Sequence, residues 1–123
     1  MRGFGELEAA VMDRLWRRDE PATVREIWQD LQPDRDLAYN TVLTVVDNLF
    51  KKGRLRREKQ GRAYLYAPVT SRSEYGAELM RAAMAESGDP AAALLGFVRQ
   101  LSAAEGDAVR EALRAAARKG RRS

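Results

Sequence analysis

The chain of 123 residues contains neither cysteine nor histidine. Without cysteine, it cannot form disulfide bonds, sense redox state through a thiol or bind metal through thiolates. Without histidine, it has no Ser-His-Asp triad, no Cys-His pair and no zinc site of the usual ligand types. Glycine-rich phosphate loops are missing as well, because no Gly-Lys-Ser/Thr sequence follows Gly3 and Gly5. We therefore expect no catalytic residues, no metal, no cofactor and no small-molecule substrate.

Long apolar segments are also absent. Charged side chains make up 33% of the residues, and no run approaches the ~20 apolar residues that a membrane-spanning helix needs. No apolar segment follows the positively charged start, so a secretory signal is not expected. These features predict a soluble, cytoplasmic protein. A mass of 13.8 kDa leaves room for a small binding domain and a helical segment, but not for a large catalytic core.

A helix is predicted between Ala38 and Lys52. Apolar residues recur there at spacings of three and four, which places them on one helix face, and they are Ala38, Val42, Val45, Val46 and Leu49. Gly53 would end the helix in the left-handed conformation that glycine adopts at little cost. Lys51 and Lys52 suit the negative end of the helix dipole.

A cationic β-hairpin is predicted directly after this helix. Two short runs, 54–59 and 62–67, flank Gln60-Gly61, a dipeptide that suits a tight turn. Seven cationic residues and a single acid lie from position 51 to position 62, whereas the rest of the chain is nearly balanced. Such a surface raises the affinity for polyanions through counterion release, although a solvated surface explains the same charge equally well. The order of helix, stop, strand, turn and strand is that of a winged helix.

Two further amphipathic helices are predicted upstream. Their apolar stripes are Leu7, Ala10, Val11, Leu15 and Trp16 in the first, and Val24, Ile27, Trp28 and Leu31 in the second. Thr23 and Glu26 have the spacing of a capping box at the start of the second helix. Both tryptophans are interpreted as core residues rather than as a ligand-stacking platform, because large aromatics on apolar helix faces are usually buried.

The second half of the chain is rich in alanine, leucine, methionine and arginine, which predicts a second, helical unit. Capping boxes at Ser71–Glu74 and Ser102–Glu105 begin the first and the last of its three predicted helices, and Gly88-Asp89-Pro90 ends the first helix and begins the second. Short amphipathic helices cannot easily bury their apolar faces alone, so we predict a homodimer, with an intramolecular bundle as the alternative. The predicted interface residues are Tyr75, Leu79, Met80, Leu94, Leu95, Val98, Leu101, Val109 and Leu113.

The residues from Ala38 to Pro68 carry a specific family resemblance. The segments LAYNTVLTVVDNL and KKGRLRREKQGRAYLYAP resemble the winged-helix DNA-binding domain of the penicillinase-repressor (BlaI/MecI) family of bacterial transcriptional regulators. The matching positions are Ala38, Tyr39, Thr41, Val42, Thr44, Lys52-Gly53, Gly61-Arg62 and Tyr66-Ala67-Pro68. Asn48 stands where family members often have a basic residue, and Arg54 where an apolar one is usual. The second half resembles the family in length, in helical content and in the pair Phe97-Val98.

The resemblance implies a repressor that binds an inverted-repeat operator as a homodimer and blocks a promoter. It also implies release of repression by cleavage in the dimerisation segment, triggered through a membrane-bound sensor metalloprotease that responds to β-lactams or another cell-envelope signal. In the best-known members the cut precedes the phenylalanine of an asparagine-phenylalanine pair. Here Gly96 stands before Phe97, so Gly96-Phe97 is the candidate cleavage site. A related branch senses copper through cysteine pairs, which this chain lacks.

The candidate DNA-contacting residues fall into two groups. Base-reading candidates on the outward face of the helix are Asn40, Thr41, Leu43 and Thr44. Backbone and wing candidates are Tyr39, Lys51, Lys52, Arg56, Arg57, Lys59 and Arg62. Asp47 would repel phosphate unless it pairs with Lys51 four residues later or accepts a hydrogen bond from cytosine.

The sequence thus predicts a mainly α fold: a winged helix-turn-helix of three helices plus a β-hairpin wing at residues 1–70, followed by a helical dimerisation segment at 71–123. Its predicted partners are duplex operator DNA, a second copy of the chain and a membrane sensor protease. The alternative is a winged-helix module that binds protein or RNA instead of an operator. The polar face of Asn40, Thr41 and Thr44 favours DNA, because an interaction module would more naturally expose an apolar patch there.

Overall fold

The computed structural model describes residues 4–122, with side chains to residue 121. The elements in chain order are α1 (Glu6–Arg17), α2 (Val24–Leu31), α3 (Tyr39–Lys51), β1 (Leu55–Gln60), β2 (Ala63–Pro68), α4 (Arg72–Glu86), α5 (Pro90–Arg99) and α6 (Ala103–Arg122). The chain divides into two compact units, with the division between Leu79 and Met80. The mainly helical fold with a single β-hairpin confirms the predicted fold class.

The core of the first unit is formed by the apolar stripes of α1, α2 and α3 together with the base of the hairpin. Its buried members are Val11, Met12, Leu15, Ala22, Val24, Ile27, Leu31, Val42, Val46, Leu49, Leu55 and Tyr66. The indoles of Trp16 and Trp28 are half-buried and pack against this core. Ala38 was predicted on the apolar face of α3 but is exposed, because it is the N-cap residue and precedes the first helical turn.

Side-chain caps fix the start of several helices, as predicted. The hydroxyl of Thr23 accepts a hydrogen bond from the Glu26 N–H at 3.1 Å, and the Glu26 carboxylate accepts one from the Thr23 N–H at 2.9 Å. The Thr23 backbone bond contributes most to lowering the pKa of Glu26. The same reciprocal bonds occur in the boxes Ser71–Glu74 and Ser102–Glu105, and the Asp89 carboxylate caps α5 ahead of Pro90. These local bonds satisfy N–H groups that a helix terminus leaves without partners.

A Schellman motif ends α3 and sets where the wing begins. Gly53 has φ +80°, and its N–H donates to the Phe50 carbonyl at 3.0 Å. The Arg54 N–H donates to the Leu49 carbonyl at 2.9 Å, which completes the motif. Because Arg54 is engaged in this helix stop, β1 begins one residue later than predicted, at Leu55.

The wing is a two-stranded antiparallel hairpin in which Gln60 pairs with Ala63 around a two-residue turn. Gly61 has φ +63° in this turn, a conformation that favours glycine. Tyr66 connects the hairpin to the helices by exchanging two backbone hydrogen bonds with Ala22, at 2.9 and 2.8 Å. The base of the wing is therefore fixed to the helical core, whereas most of β1 beyond Leu55 is exposed.

An aromatic cluster connects the start of α4 to the first unit. The rings of Phe4 and Tyr75 are stacked, with centroids 4.3 Å apart and an interplanar angle of 9°. Trp16 lies 5.6 Å from Tyr75, and its indole N–H donates to the Thr70 carbonyl at 2.9 Å. Tyr75, which was predicted at the subunit interface, is thus half-buried against aromatic residues of its own chain.

Arg54 joins this aromatic cluster from the end of α3. Its guanidinium lies 5.7 Å from the ring centroid of Phe4 and 5.5 Å from that of Tyr75, and it donates to the Glu78 carboxylate at 2.7 Å. These contacts give a physical reason for a charged residue at a position where an apolar one was expected. The first two turns of α4 consequently belong to the compact unit that carries α3, beyond the predicted boundary at residue 70.

The second unit contains the rest of α4 together with α5 and α6. No side chain that the structure describes between residues 80 and 121 is buried. Large apolar side chains are instead exposed there, namely Met80, Leu94, Leu95, Phe97, Val98 and Leu113. Within residues 4–122, no helix combines the length and the apolar character that a bilayer crossing requires.

Replacing Tyr75 by alanine should lower the free energy of unfolding by about 2 kcal/mol. This is less than the loss expected when a fully buried aromatic residue is replaced, because the ring is only half-buried. Denaturant unfolding of the full chain would measure this loss at several protein concentrations. The matched variant Tyr75→Phe keeps the ring stack and loses only the hydroxyl that accepts the Phe4 N–H, so it should lose less stability. A loss that appears only at concentrations where the chain dimerises would place Tyr75 at the subunit interface instead.

Candidate nucleic-acid interface

Helix α3 has one buried face and one exposed face. Val42, Val46 and Leu49 are buried in the core, and the base-reading candidates Asn40, Thr41, Leu43 and Thr44 are all exposed. The hydroxyl of Thr44 donates to the Asn40 carbonyl at 2.9 Å, which occupies its only proton. Thr44 therefore presents a methyl group and an oxygen that can accept a hydrogen bond from a base or an approaching donor.

The acid on this helix is paired. Asp47 accepts a hydrogen bond from the Lys51 ammonium at 2.9 Å. This i,i+4 ion pair is one of the two predicted alternatives for Asp47, the other being a contact with cytosine. An acid and a base one turn apart contribute little net charge to the surface. The pair therefore reduces the repulsion that Asp47 alone would exert on phosphate.

Lys52, predicted as a backbone contact, has a partner within the fold. Its ammonium donates to the Glu8 carboxylate at 2.7 Å, and this bond links the end of α3 to α1. The Lys52 hydrogen bond is the main cause of a lowered pKa of Glu8, and a bond from the Gly5 N–H acts in the same direction. Part of the charge of Lys52 is thus neutralised inside the protein.

The cationic residues of β1 lie on two different faces of the wing. Arg57 and Lys59 share a face with Leu55, and Arg56 is on the other face, opposite Ala67. The guanidinium of Arg57 lies between two rings, 3.9 Å from the Phe50 centroid and 4.1 Å from the Tyr64 centroid. Contacts of this kind stabilise the arginine in place. Arg57 therefore also braces the wing against α3, a role that the charge pattern alone did not indicate.

A groove of about 450 Å³ lies between α3, the wing and the start of α2. The predicted contacts Tyr39, Leu43 and Arg62 line it and are thus brought to one surface, together with Tyr64 of the wing, which was not predicted as a contact. Arg25 of α2 also lines the groove and is exposed. Arg25 was not among the predicted contacts, because it lies outside both the cationic run and the predicted reading helix. Only the packing of α2 beside α3 places it there.

Comparison with known proteins places this geometry in a family. The family model described as penicillinase repressor matches residues 4–115. The chain belongs to the penicillinase repressor family. It is 49% identical over 113 residues to the transcriptional regulator BlaI of Mycobacterium tuberculosis, which covers 89% of this chain and 82% of that protein. It is 30% identical over 72 residues to the penicillinase repressor of Bacillus licheniformis, covering 58% of this chain and 56% of that protein.

A solved structure also matches part of this penicillinase repressor family member. The solution structure of the DNA binding domain of the repressor BlaI is similar with a TM-score of 0.53 and 27% sequence identity. The match covers 61% of this chain and 94% of that domain. The family resemblance and the winged-helix prediction are thereby confirmed.

Within residues 4–122, no group of acidic residues is arranged to hold a metal ion.

Glu8→Gln should lower the stability of the protein by roughly 0.5 kcal/mol near neutral pH, the size typical of a single partly exposed ion pair. Because folding lowers the pKa of Glu8, its carboxylate stabilises the folded state above its ordinary pKa and loses this effect as the pH falls through the lowered value. The difference between variant and wild type should therefore shrink below about pH 4, as followed by urea unfolding across pH.

Lys52→Gln provides the companion variant for this measurement. It should raise the pKa of Glu8 toward its ordinary value. The double variant of Glu8→Gln and Lys52→Gln should lose no more stability than the less stable of the two single variants. A stability difference for Glu8→Gln that persists unchanged to pH 2 would show that the ion pair with Lys52 is not its cause.

Proposed function

We propose that this penicillinase repressor family member is a DNA-binding transcriptional repressor that acts as a homodimer on an inverted-repeat operator. Each subunit inserts α3 into a major groove, and the bound dimer blocks access to the promoter. The observation that carries the proposal is the exposed polar face of α3 beside a cationic wing. The match to the DNA binding domain of the repressor BlaI supports the same assignment.

The proposed base-reading surface consists of side chains that suit the edges of base pairs. The amide of Asn40 can pair with adenine through two hydrogen bonds, and Leu43 can contact the methyl group of thymine. Thr41 can donate to or accept from a base edge or phosphate, whereas Thr44, whose proton is donated to the Asn40 carbonyl, can accept a hydrogen bond from a base. The exposed cations Arg56, Lys59 and Arg62 of the wing are the proposed phosphate contacts, and Tyr39 and Lys51 extend this set along α3.

The proposed dimer interface is formed by the second unit. None of the side chains described from residue 80 to residue 121 is buried in a single chain, although Leu94, Leu95 and Val98 are apolar. Met80, Leu94 and Phe97 also line an apolar groove of about 240 Å³. When a second copy covers exposed apolar area of this kind, the area is removed from water and the dimer is stabilised. The half-buried Leu101 and Val109 and the exposed Leu113 complete the part of the proposed interface in this unit, and the half-buried Leu79, the last residue of the first unit, adjoins it.

The proposed release of repression is cleavage between Gly96 and Phe97 by a membrane-bound sensor protease that responds to a β-lactam or another cell-envelope signal. Both residues lie inside α5, where the backbone is helical and protected from proteases. A glycine in a helix interior costs about 1 kcal/mol relative to alanine, so Gly96 favours local opening at this bond. Cleavage would divide the proposed interface and release two monomers with weak operator affinity.

The central test is whether the full chain binds duplex DNA as a dimer with sequence preference. A selection from random duplexes should return an inverted repeat, bound at least ~10³-fold more tightly than random duplex at matched salt. Leu113→Glu should yield monomers that bind this repeat roughly 10²-fold more weakly, because the two half-sites are no longer held together. Leu113 is 66% exposed in the single chain, so the charge should not unfold the monomer.

Ala115→Glu serves as the control for this charge, because it lies about 200° around α6 from Leu113. It should leave both the dimer and the operator affinity unchanged, as measured by sedimentation and fluorescence anisotropy. A chain that is monomeric at micromolar concentration, with no duplex preferred in the selection, would contradict the proposed function.

Base reading and phosphate contact should separate in a second pair of variants. Thr44→Ala should reduce discrimination between the operator and its point variants by about 1–3 kcal/mol at one base position, because α3 loses an acceptor and a methyl group there. Arg62→Gln should instead weaken binding to operator and random duplex alike and reduce the salt slope by about one. Unchanged discrimination by Thr44→Ala would mean that another face of the protein reads the operator.

A further inference from the structure

The groove between α2, α3 and the wing differs in charge from the rest of the helical body of the first unit. Arg25 and Arg62 line it, and neither has a carboxylate partner among residues 4–122. Four other arginines of the helical body, in contrast, each form an ion pair, and they are Arg14, Arg17, Arg18 and Arg35. No acidic residue lines the groove. Its two cations are thus available to an anion that comes from outside the chain.

The walls of the groove are apolar and exposed. The first unit exposes only four large apolar side chains among its described residues: Tyr39, Leu43, Tyr64 and Val69. Three of them, at 38%, 40% and 38% exposure for Tyr39, Leu43 and Tyr64, line this groove. Three of the four therefore meet on one surface, where a ligand that enters the groove would cover them.

These walls are also held in place. The ring of Tyr39 packs edge-on against Trp28, with centroids 5.8 Å apart, and the Trp28 indole N–H donates to the Leu37 carbonyl at 2.7 Å. On the other side, Tyr64 stacks on the guanidinium of Arg57 at 4.1 Å. A wall that is already ordered loses little conformational entropy when a ligand binds.

We propose that this groove binds one sugar-phosphate strand of the operator, an inference that rests on the proposed function. Arg25 and Arg62 bind neighbouring phosphates of that strand, and the rings of Tyr39 and Tyr64 pack against the deoxyribose between them. A nucleic acid strand carries both charged phosphates and apolar sugar faces, which matches a groove that is lined by two arginines and by aromatic rings. Phosphate contacts carry no sequence information but fix the protein on the duplex, so Arg25 positions α3 in its major groove.

The first test compares Arg25→Gln with the matched control Arg17→Gln, which removes the same charge from an exposed arginine outside the groove. Arg25→Gln should weaken binding to the selected operator and to random duplex by about tenfold each and reduce the salt slope by about one. Arg17→Gln should change neither quantity by a comparable amount. Equal effects of the two variants would overturn the proposal, since general charge alone would then explain the loss.

The second test locates the strand by replacing single operator phosphates with uncharged methylphosphonates. Arg25→Gln should lose its effect on affinity when one particular phosphate is neutral, and Arg62→Gln should do so at a neighbouring phosphate of the same strand. The proposal would be refuted if the effects of the arginine variants and of the methylphosphonates were additive at every phosphate. It would also be refuted if the phosphates coupled to Arg25 and to Arg62 lay on opposite strands. Saturable binding of a mononucleotide that competes with duplex would assign the groove to a small ligand instead.

These outcomes are distinguishable from failure of the proposed function. If the full chain selects no duplex, the repressor assignment itself is refuted. If it selects an operator and Arg25→Gln binds as wild type does, only the assignment of the groove is refuted.

Discussion

The structure depends on the requirement that α3 bury one face and leave the other exposed. Val42, Val46 and Leu49 provide the buried contacts, and α1, α2 and the base of the wing supply the surfaces that cover them. With its inner face fixed in this way, α3 cannot rotate about its axis without exposing valine and leucine to water. The orientation of Asn40 and Leu43 on the outer face is therefore maintained by hydrophobic burial on the inner face.

The cations of the predicted DNA-binding region have different roles in the folded protein. Lys52 and Arg54 form ion pairs with carboxylates of α1 and α4, and Arg57 is stacked between two rings. These three residues connect the end of α3 and the wing to the rest of the first unit. Arg25 and Arg62 have no carboxylate partner in the part of the chain that the structure describes. Part of the cationic run thus stabilises the fold, whereas Arg62 from that run and Arg25 from α2 remain available on the groove.

The two units differ in how much of their apolar surface is buried within a single chain. The first unit has a continuous buried core and capped helices, whereas the second unit exposes apolar residues along α5 and α6. Helix α4 contributes to both, because its residues up to Leu79, including Tyr75 and Glu78, belong to the first unit and those from Met80 onward belong to the second. One uninterrupted helix therefore joins the unit proposed to read DNA and the unit proposed to dimerise.

The sequence by itself determined the helices, their capping boxes, the glycine stop after α3 and the hairpin, because each depends on residues a few positions apart. It also determined which side of α3 faces outward, since helical periodicity separates the two faces. Only the tertiary structure decided the roles of Lys52, Arg54, Tyr75 and Arg25. The bond from Lys52 reaches Glu8 over 44 positions, and that from the Phe4 N–H to Tyr75 spans 71. Partners so far apart are brought together by packing of the elements, and no local pattern of residues encodes which of them will meet.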